Sequence, residues 1–341
     1  SYAVREALLW ESLSNDQVQC LLCERRCVIP PGESGFCRTR VNRSGRLYTL
    51  TYGNLSAAES RPIEIKPFYH FWPGSSAYTI STWSCNFDCP WCQNWTLSKF
   101  PPPPTTHATS PEEVVRAAVQ AGDQGVCISF NEPTLLFEYM IDLFPLAKDH
   151  GLYTCIVSNG YLTETAIRML HRAGLDGFKI DVKGDPHVYR KYCKGVDAQV
   201  IWRNAHLAQE LGLHVELVCL LVTGLCDNDR VVEWIVQQAL RNVSRQTPIH
   251  LTRYFPAYHY HEPPTPIDFL ERAYRIARQH GFKYVYLGNV GDHPYGNTYC
   301  PTCGALLLKR RNFFLVFSRL TAENRCPSCG TQIPITGKIL R

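Results

Sequence analysis

Eleven of the sixteen cysteines in this chain fall into three close-spaced groups, and that spacing restricts what the chain can fold into more than any other feature. The groups are Cys20, Cys23, Cys27 and Cys37; Cys85, Cys89 and Cys92; and Cys300, Cys303, Cys326 and Cys329. Secreted disulfide scaffolds are short, whereas this chain has 341 residues, and C-x2-C and C-x3-C pairs aim their thiols at a shared metal rather than at each other. Metal ligation requires reduced thiols and so implies a reducing cytoplasm; an iron–sulfur cluster would add low oxygen. The remaining five, Cys127, Cys155, Cys193, Cys219 and Cys226, are scattered, and buried free cysteine is the common fate of such residues.

A chain of this length buries one large core and leaves material for small satellite domains. With 45% hydrophobic and 19% charged residues it has an ordinary globular composition, and no run approaches the ~18 apolar residues of a membrane span. Residues 1–15 lack the basic start and apolar run of a secretory signal. The net charge of +5 is spread along the chain and gives no reason to expect a nucleic-acid partner.

From about residue 78 short apolar runs alternate with amphipathic ones, the rhythm of strand and helix units. Strands are expected at 77–83, 126–130, 153–157, 177–182, 214–222, 249–254 and 284–287, and helices at 111–121, 133–150, 163–173, 198–211, 229–240 and 266–280. Ser110, followed by Pro111 and Glu113, and Thr163 before Glu164 are helix starts; Gly122, Gly151, Gly174, Gly212 and Gly281 are helix ends. Parallel units of this kind form an α/β full or partial barrel, or an open sheet, with the chemistry at the carboxyl ends of the strands. The expected division is a Cys-rich N-terminal domain at 1–75, the α/β unit at 76–294 and a small C-terminal domain at 295–341.

Cys85, Cys89 and Cys92 directly follow the first strand of this series and so belong to an active-site loop. Three thiolates can ligate three irons of a [4Fe-4S] cubane and leave the fourth open to another molecule. The alternative is a structural zinc site completed by His70 or a distant cysteine, although C-x3-C-x2-C departs from the C-x2-C pairs usual for zinc. At the C-terminus, Cys300-Pro301-Thr302-Cys303-Gly304 and Cys326-Pro327-Ser328-Cys329-Gly330 are paired knuckles separated by twenty-two residues, suited to a tetrahedral zinc or iron in a zinc-ribbon or rubredoxin-like domain. Cys20, Cys23, Cys27 and Cys37 suit either zinc or a fully ligated auxiliary iron–sulfur cluster.

The C-x3-C-x2-C loop, with aromatic Trp91 before its last cysteine, resembles the radical S-adenosylmethionine (SAM) superfamily. The stretches Cys92-Gln93-Asn94-Trp95, Asn131-Glu132-Pro133-Thr134, Ser158-Asn159-Gly160-Tyr161 and Asp181-Val182-Lys183-Gly184 resemble its pyruvate formate-lyase activating enzyme-like branch. Arg26-Cys27-Val28-Ile29-Pro30-Pro31-Gly32, Lys66-Pro67-Phe68-Tyr69-His70-Phe71 and Asn297-Thr298-Tyr299-Cys300-Pro301 extend the resemblance toward the radical SAM enzyme of the AmmeMemoRadiSam system. It implies a partial (β/α)6 TIM-type barrel and a [4Fe-4S] cluster on Cys85, Cys89 and Cys92. It also implies S-adenosylmethionine as cofactor, a reductant such as ferredoxin or flavodoxin, and protein partners within that system.

By the same resemblance, Asn131 and Glu132 stand where a Gly-Gly-Glu motif meets the methionine amino group, with Phe130 and Asn131 in place of the glycines. Ser158 and Asn159 match a cofactor contact, with Val157 where activating enzymes often carry an acid. Lys183 would pair with the methionine carboxylate, Asp181 with the ribose, and Trp91 would flank the adenine. Helix capping by Asn131, an Asp181–Lys183 ion pair and simple packing of Trp91 are the plainer alternatives. Arg253, Tyr254 and His259 follow the sixth strand and would face a substrate, with a plain loop as the simpler alternative for each. Two functions compete with a radical enzyme acting on a small molecule or partner protein: a glycyl-radical enzyme activase, and a non-catalytic iron–sulfur or zinc protein.

Overall fold

The computed structural model describes residues 3–340. Ser1, Tyr2 and Arg341, the outermost residues of the two expected terminal domains, lie outside it. The central element is an eight-stranded sheet: β1 (Ala57–Pro62), β2 (Ser76–Ser81), β3 (Gly125–Ile128), β4 (Tyr153–Ser158), β5 (Gly177–Val182), β6 (His214–Leu221), β7 (Ile249–Arg253) and β8 (Val285–Gly288). The strands lie side by side in chain order, and β2 to β8 are all parallel. β1 and β8 are the two edges, so the curve stays open and the barrel is partial.

Six helices make the crossovers: α1 (Pro111–Ala121), α2 (Phe137–Asp149), α3 (Glu164–Ala173), α4 (Ala198–Glu210), α5 (Asp229–Asn242) and α6 (Ile267–Gln279). Six strand–helix units and a seventh parallel strand therefore realise the expected (β/α)6 frame. The start signals act as read. Ser110 and Glu113 form a reciprocal capping box, and the Thr163 hydroxyl accepts from the Ala166 amide. Gly122 and Gly174 end α1 and α3 in the left-handed conformation that glycine adopts without steric cost.

One strand was not expected. Ala57–Pro62 lies inside the segment assigned to the N-terminal domain, yet it pairs antiparallel with β2 over its whole length. Its sequence, Ala-Ala-Glu-Ser-Arg-Pro, has no apolar alternation because it is a partly exposed edge strand that buries little. Before it, residues 5–49 form two three-stranded antiparallel sheets that carry the first cysteine group. These sheets pack on the carboxyl ends of the barrel strands: Glu24 N donates to Tyr161 O and Thr163 N to Leu22 O, both in the loop after β4.

The C-terminal ribbon, strands Thr298–Tyr299, Leu306–Arg311 and Phe314–Ser318, packs on the opposite end. Its Cys300, Cys326 and Leu307 share an apolar cluster with Tyr69, Tyr284 and Tyr286, at the amino ends of the strands. Beneath it a polar network plugs the barrel. Buried Glu216 accepts from His250 Nε2 and His214 Nε2, both at 2.8 Å, and from the Tyr69 and His70 amides. His70 Nδ1 faces the Pro334 carbonyl at 2.8 Å, which can only accept, so Nε2 is unprotonated and accepts from Tyr286 OH at 2.6 Å. This placement removes His70 from the central cysteines, so the alternative zinc site completed by His70 does not form.

Burial pushes the His70 imidazole down to about 3, against ~6.5 in an unfolded chain. A depressed folded value means that the unfolded chain takes up the proton first. Stability from this group is therefore full above about pH 6.5 and is lost as pH falls toward the folded value, at about 1.4 kcal/mol per pH unit. Thermal unfolding followed from about pH 7 to pH 5 is expected to show falling stability, with a shallower slope in His70→Gln. An unchanged slope in that variant would contradict the assignment.

Candidate active site

The loop carrying Cys85, Cys89 and Cys92 leaves β2 through Ser84, whose φ of 72° turns the chain sharply over the barrel mouth. Asn131 holds this turn. Its Oδ1 accepts from the Thr82 amide at 2.9 Å and its Nδ2 donates to the Ser84 carbonyl at 3.0 Å. Asn131 lines the cavity of the central thiols and ties the end of β3 to the start of the cysteine loop. Phe130 before it takes a φ of 72°, a conformation natural to glycine and costly for an aromatic residue.

Glu132 is 4% exposed, and its carboxylate accepts four hydrogen bonds. Thr134 N, Thr134 Oγ1 and Ser158 Oγ reach Oε2 at 3.1, 2.6 and 2.7 Å, and Asn159 N reaches Oε1 at 2.8 Å. The carboxylate also caps the turn that leads into α2, the plainer alternative role expected of Asn131. Burial raises its proton affinity, while these donors oppose the shift. Asn159 passes the connection onward, donating to Asn86 Oδ1 at 2.7 Å, with Cys85 Sγ 3.9 Å from the same nitrogen. Glu132, Ser158 and Asn159 thus position the cysteine loop from two neighbouring strand ends.

On β5 the two-residue period sends Lys179 and Asp181, and then Lys183, toward the barrel axis. Lys179 and Lys183 flank Asp181 at 2.8 and 3.8 Å. Burial opposes ionisation of Asp181, but the two lysines outweigh it and hold the carboxyl below its ordinary value. Burial likewise opposes the charge on Lys183, and Asp181 and the nearby thiols outweigh it. Lys183 has no closer carboxylate among the described residues.

All three thiols line one cavity of ≈ 400 Å³ with Glu132, Asn159, Asp181 and Lys183. A hollow of ≈ 740 Å³ at the opposite end, lined by Trp72, Lys148, His171, Asp176 and Thr336, contains no thiol, so size alone does not mark the site. Burial holds the Cys85 and Cys92 thiols above the ordinary value, so thiolates there need a metal to displace the protons. Cys89 differs: the thiol of Cys193, 3.8 Å away, lowers its value against burial, helped by Lys183 and Lys99. Three soft ligands on one loop, with a polar wall facing them, fit an iron–sulfur cluster having one iron without a protein ligand. S-adenosylmethionine fits the same cavity, whose size lies in the range of small-ligand sites and whose wall offers an ammonium for a carboxylate.

Trp91 is buried and lines the same cavity, its ring near Tyr192 and edge-on to Tyr260, which anchors the loop by packing. The loop after β7 closes over it: His259 N donates to Pro90 O and Gln93 Nε2 to Phe255 O. Tyr254 is fully buried and bonded to the Tyr260 carbonyl, and Arg253 is bonded to Thr265, so both shape this loop. Four residues of the site escaped sequence reading. Cys193 lies beside Cys89, Lys99 pairs with Asp88, and Lys66 and Lys179 line the inner end of the cavity. Only the two-residue period of β5 could have indicated one of them, Lys179.

At the far end, the four sulfurs of Cys300, Cys303, Cys326 and Cys329 all lie within 4.8 Å of one another. Their cross pairs stand 3.5 and 3.6 Å apart, close to the ~3.8 Å edge of a tetrahedron with ~2.3 Å metal–sulfur bonds. This group can hold a metal. It sits a full strand length, roughly 20 Å, from the central thiols, as suits a structural staple.

Residues 79–239 match the radical SAM superfamily. That span opens inside β2 and runs into α5, so it includes the cysteine loop and every polar strand end described above. Over 335 residues, 97% of this chain and 99% of the other, the chain is 38% identical to an uncharacterized protein of Methanocaldococcus jannaschii. It is 26% identical to a putative glycyl-radical enzyme activating enzyme of the same organism over 165 residues, 46% of this chain and 60% of the other. It is 25% identical to a pyruvate formate-lyase-activating enzyme of Streptococcus mutans over 181 residues, 49% of this chain and 68% of the other. Because the matched residues are those that bring three thiols to the mouth of a parallel partial barrel, the chain belongs to the radical SAM superfamily.

Proposed function

We propose that the chain cleaves S-adenosylmethionine reductively at a [4Fe-4S] cluster on Cys85, Cys89 and Cys92 and uses the resulting radical to abstract hydrogen from a substrate. The observation that carries this reading is the convergence of three thiols, and no fourth on their loop, on a cavity walled by Asp181 and Lys183. When bound, the cluster supplies one electron that breaks the sulfonium C–S bond, leaving methionine and a 5'-deoxyadenosyl radical that becomes 5'-deoxyadenosine on taking a substrate hydrogen. Members of this superfamily use a reductant; a ferredoxin or flavodoxin in a reducing cytoplasm suits the eleven thiols that must stay reduced. No helix among the described residues is long and apolar enough to cross a membrane.

The chain's own residues bind and position. The Lys183 ammonium suits the methionine carboxylate, and Asp181, kept ionised by its two lysines, suits a ribose hydroxyl. Glu132 has both oxygens engaged, so its part is to hold Ser158 and Asn159 in place. Lys66 bonds Thr79 at the inner end of the cavity and has no carboxylate partner among the described residues, which suits an acidic substrate group.

A second reading, activation of a glycyl-radical enzyme, draws on the likeness to two activating enzymes and on the rim of the cavity. There Trp95, Phe100 and Phe255 are exposed, and Trp95 stacks on Tyr258, a surface able to meet a protein loop. A protein partner from the AmmeMemoRadiSam system would meet the same rim.

Anaerobic reconstitution with iron and sulfide, reduction with dithionite and assay for 5'-deoxyadenosine tests the function. Wild type is expected to form it and Cys89→Ala to form none above background; equal formation by both would overturn the reading. In the same preparation Lys183→Ala is expected to weaken S-adenosylmethionine binding by at least about tenfold, with iron content unchanged. Unchanged affinity would remove Lys183 from the cofactor site.

A further inference from the structure

Cys20, Cys23, Cys27 and Cys37 line one small cavity with Arg40 and Asn86. It lies directly behind the central loop. Arg25 donates from Nε to the Asn86 carbonyl at 2.5 Å and from its terminal nitrogens to the carbonyls of Lys194 and Cys193. Ser84 Oγ donates to the Cys37 carbonyl at 2.7 Å. The loop that carries the catalytic thiols and the loop that carries this second group are therefore fastened back to back.

Two donors of this cavity's lining have no well-aligned hydrogen-bond partner among the described residues. Asn86 is 1% exposed; its Oδ1 accepts from Asn159, and its Nδ2 has no well-aligned acceptor among the described residues, the Cys23 thiol being its nearest neighbour of that kind. Arg40 is also 1% exposed; both terminal nitrogens are spent on Glu138, its Nε is unsatisfied, and its charge lies near Cys20 and Cys37. A buried donor left unpaired costs about 1–3 kcal/mol. Two of them, one cationic, in a cavity lined by four thiols suit an anionic guest rich in acceptors.

The spacing of the sulfurs indicates which guest. A single tetrahedral ion needs sulfurs about 3.8 Å apart. Among the described residues only the C-terminal group brings three or more ligand atoms within 4.8 Å of one another. No three sulfurs of the N-terminal group are that close, a wider spacing that it shares with the central loop. Thiolates bound to different irons of a cubane stand farther apart than thiolates sharing one ion.

We propose that Cys20, Cys23, Cys27 and Cys37 hold a fully ligated [4Fe-4S] cluster that relays electrons to the central site. Four protein ligands leave no open iron, so this cluster binds no substrate. The relay, unlike the site itself, rests on the reading of the central loop given above. A low-potential iron–sulfur or flavin protein reduces the N-terminal cluster by one electron. Passing that electron on reoxidises this cluster and reduces the central one, with no bond or proton changed. Asn86 stands between the two, its amide beside Cys23 and its Oδ1 3.8 Å from Cys85 Sγ. The C-terminal group, at the opposite end of the barrel, is excluded as the relay by distance.

Acid-labile sulfide counts cubane clusters and ignores zinc or a rubredoxin-type iron. The full chain reconstituted anaerobically is expected to hold about eight sulfides, and the Cys85→Ala/Cys89→Ala/Cys92→Ala variant about four. The Cys20→Ala/Cys23→Ala variant is expected to lose the other four or so. Fully reduced wild type should give a broadened electron paramagnetic resonance spectrum from two neighbouring clusters, replaced by a single unbroadened signal in either variant. If wild type holds about four sulfides that vanish with the central cysteines, and zinc occupies the N-terminal group, the proposal is overturned while the central reading stands. If those four vanish instead with Cys20 and Cys23, the N-terminal site stands and the central reading falls. Two signals that simply add would overturn the relay.

Discussion

The carboxylate of Glu132 accepts four hydrogen bonds where the ends of β3 and β4 meet, and the arrangement of the barrel mouth follows from it. Through Ser158 and the Asn159 amide it sets the end of β4. Through the Asn159 side chain and Asn86 it sets the cysteine loop. Through the turn that it caps it sets the start of α2. Removing the carboxylate would leave four buried donors without acceptors, each a cost of about 1–3 kcal/mol. Such a group rigidifies a site, and a network of this kind holds only when every member is satisfied.

The barrel interior divides into two halves of different character. Along β6 the inward positions run from His214 and Glu216 to Val218 and Leu220: the first two belong to the polar plug and the last two line the cavity. The C-terminal ribbon seals the plug with Arg310, which bonds the Tyr69 carbonyl and lies over the Tyr69 ring. With one end filled and covered, the cavity that the central thiols line lies at the carboxyl ends, where the N-terminal sheets add their own thiols. The ribbon thus closes one end of the barrel, and the N-terminal sheets bring four more cysteines to the central loop at the other.

Much of this was legible in the sequence, because the signals are local. The seven parallel strands are short apolar runs, Ser110 and Thr163 cap as their side chains dictate, and the three cysteine groups are contiguous patterns. What could not be read depends on partners far along the chain. Asn131 and Glu132 resemble cofactor contacts in the sequence, and only the fold shows that they also bond Thr82, Ser84, Thr134, Ser158 and Asn159. Cys193 carries no motif, yet it stands 104 positions from Cys89 and 3.8 Å from its sulfur. Ala57–Pro62 is a strand because β2 presents a free edge to it, and its own composition says nothing of this.

The central claim is that Cys85, Cys89 and Cys92 leave one iron open to S-adenosylmethionine. Electron-nuclear double resonance on the reduced protein with the cofactor's carboxylate labelled with oxygen-17 tests it most directly. Direct coordination predicts a strong oxygen-17 hyperfine coupling to the cluster spin, absent with unlabelled cofactor. A reduced cluster whose spectrum shows no such coupling, with the cofactor bound, would contradict the account.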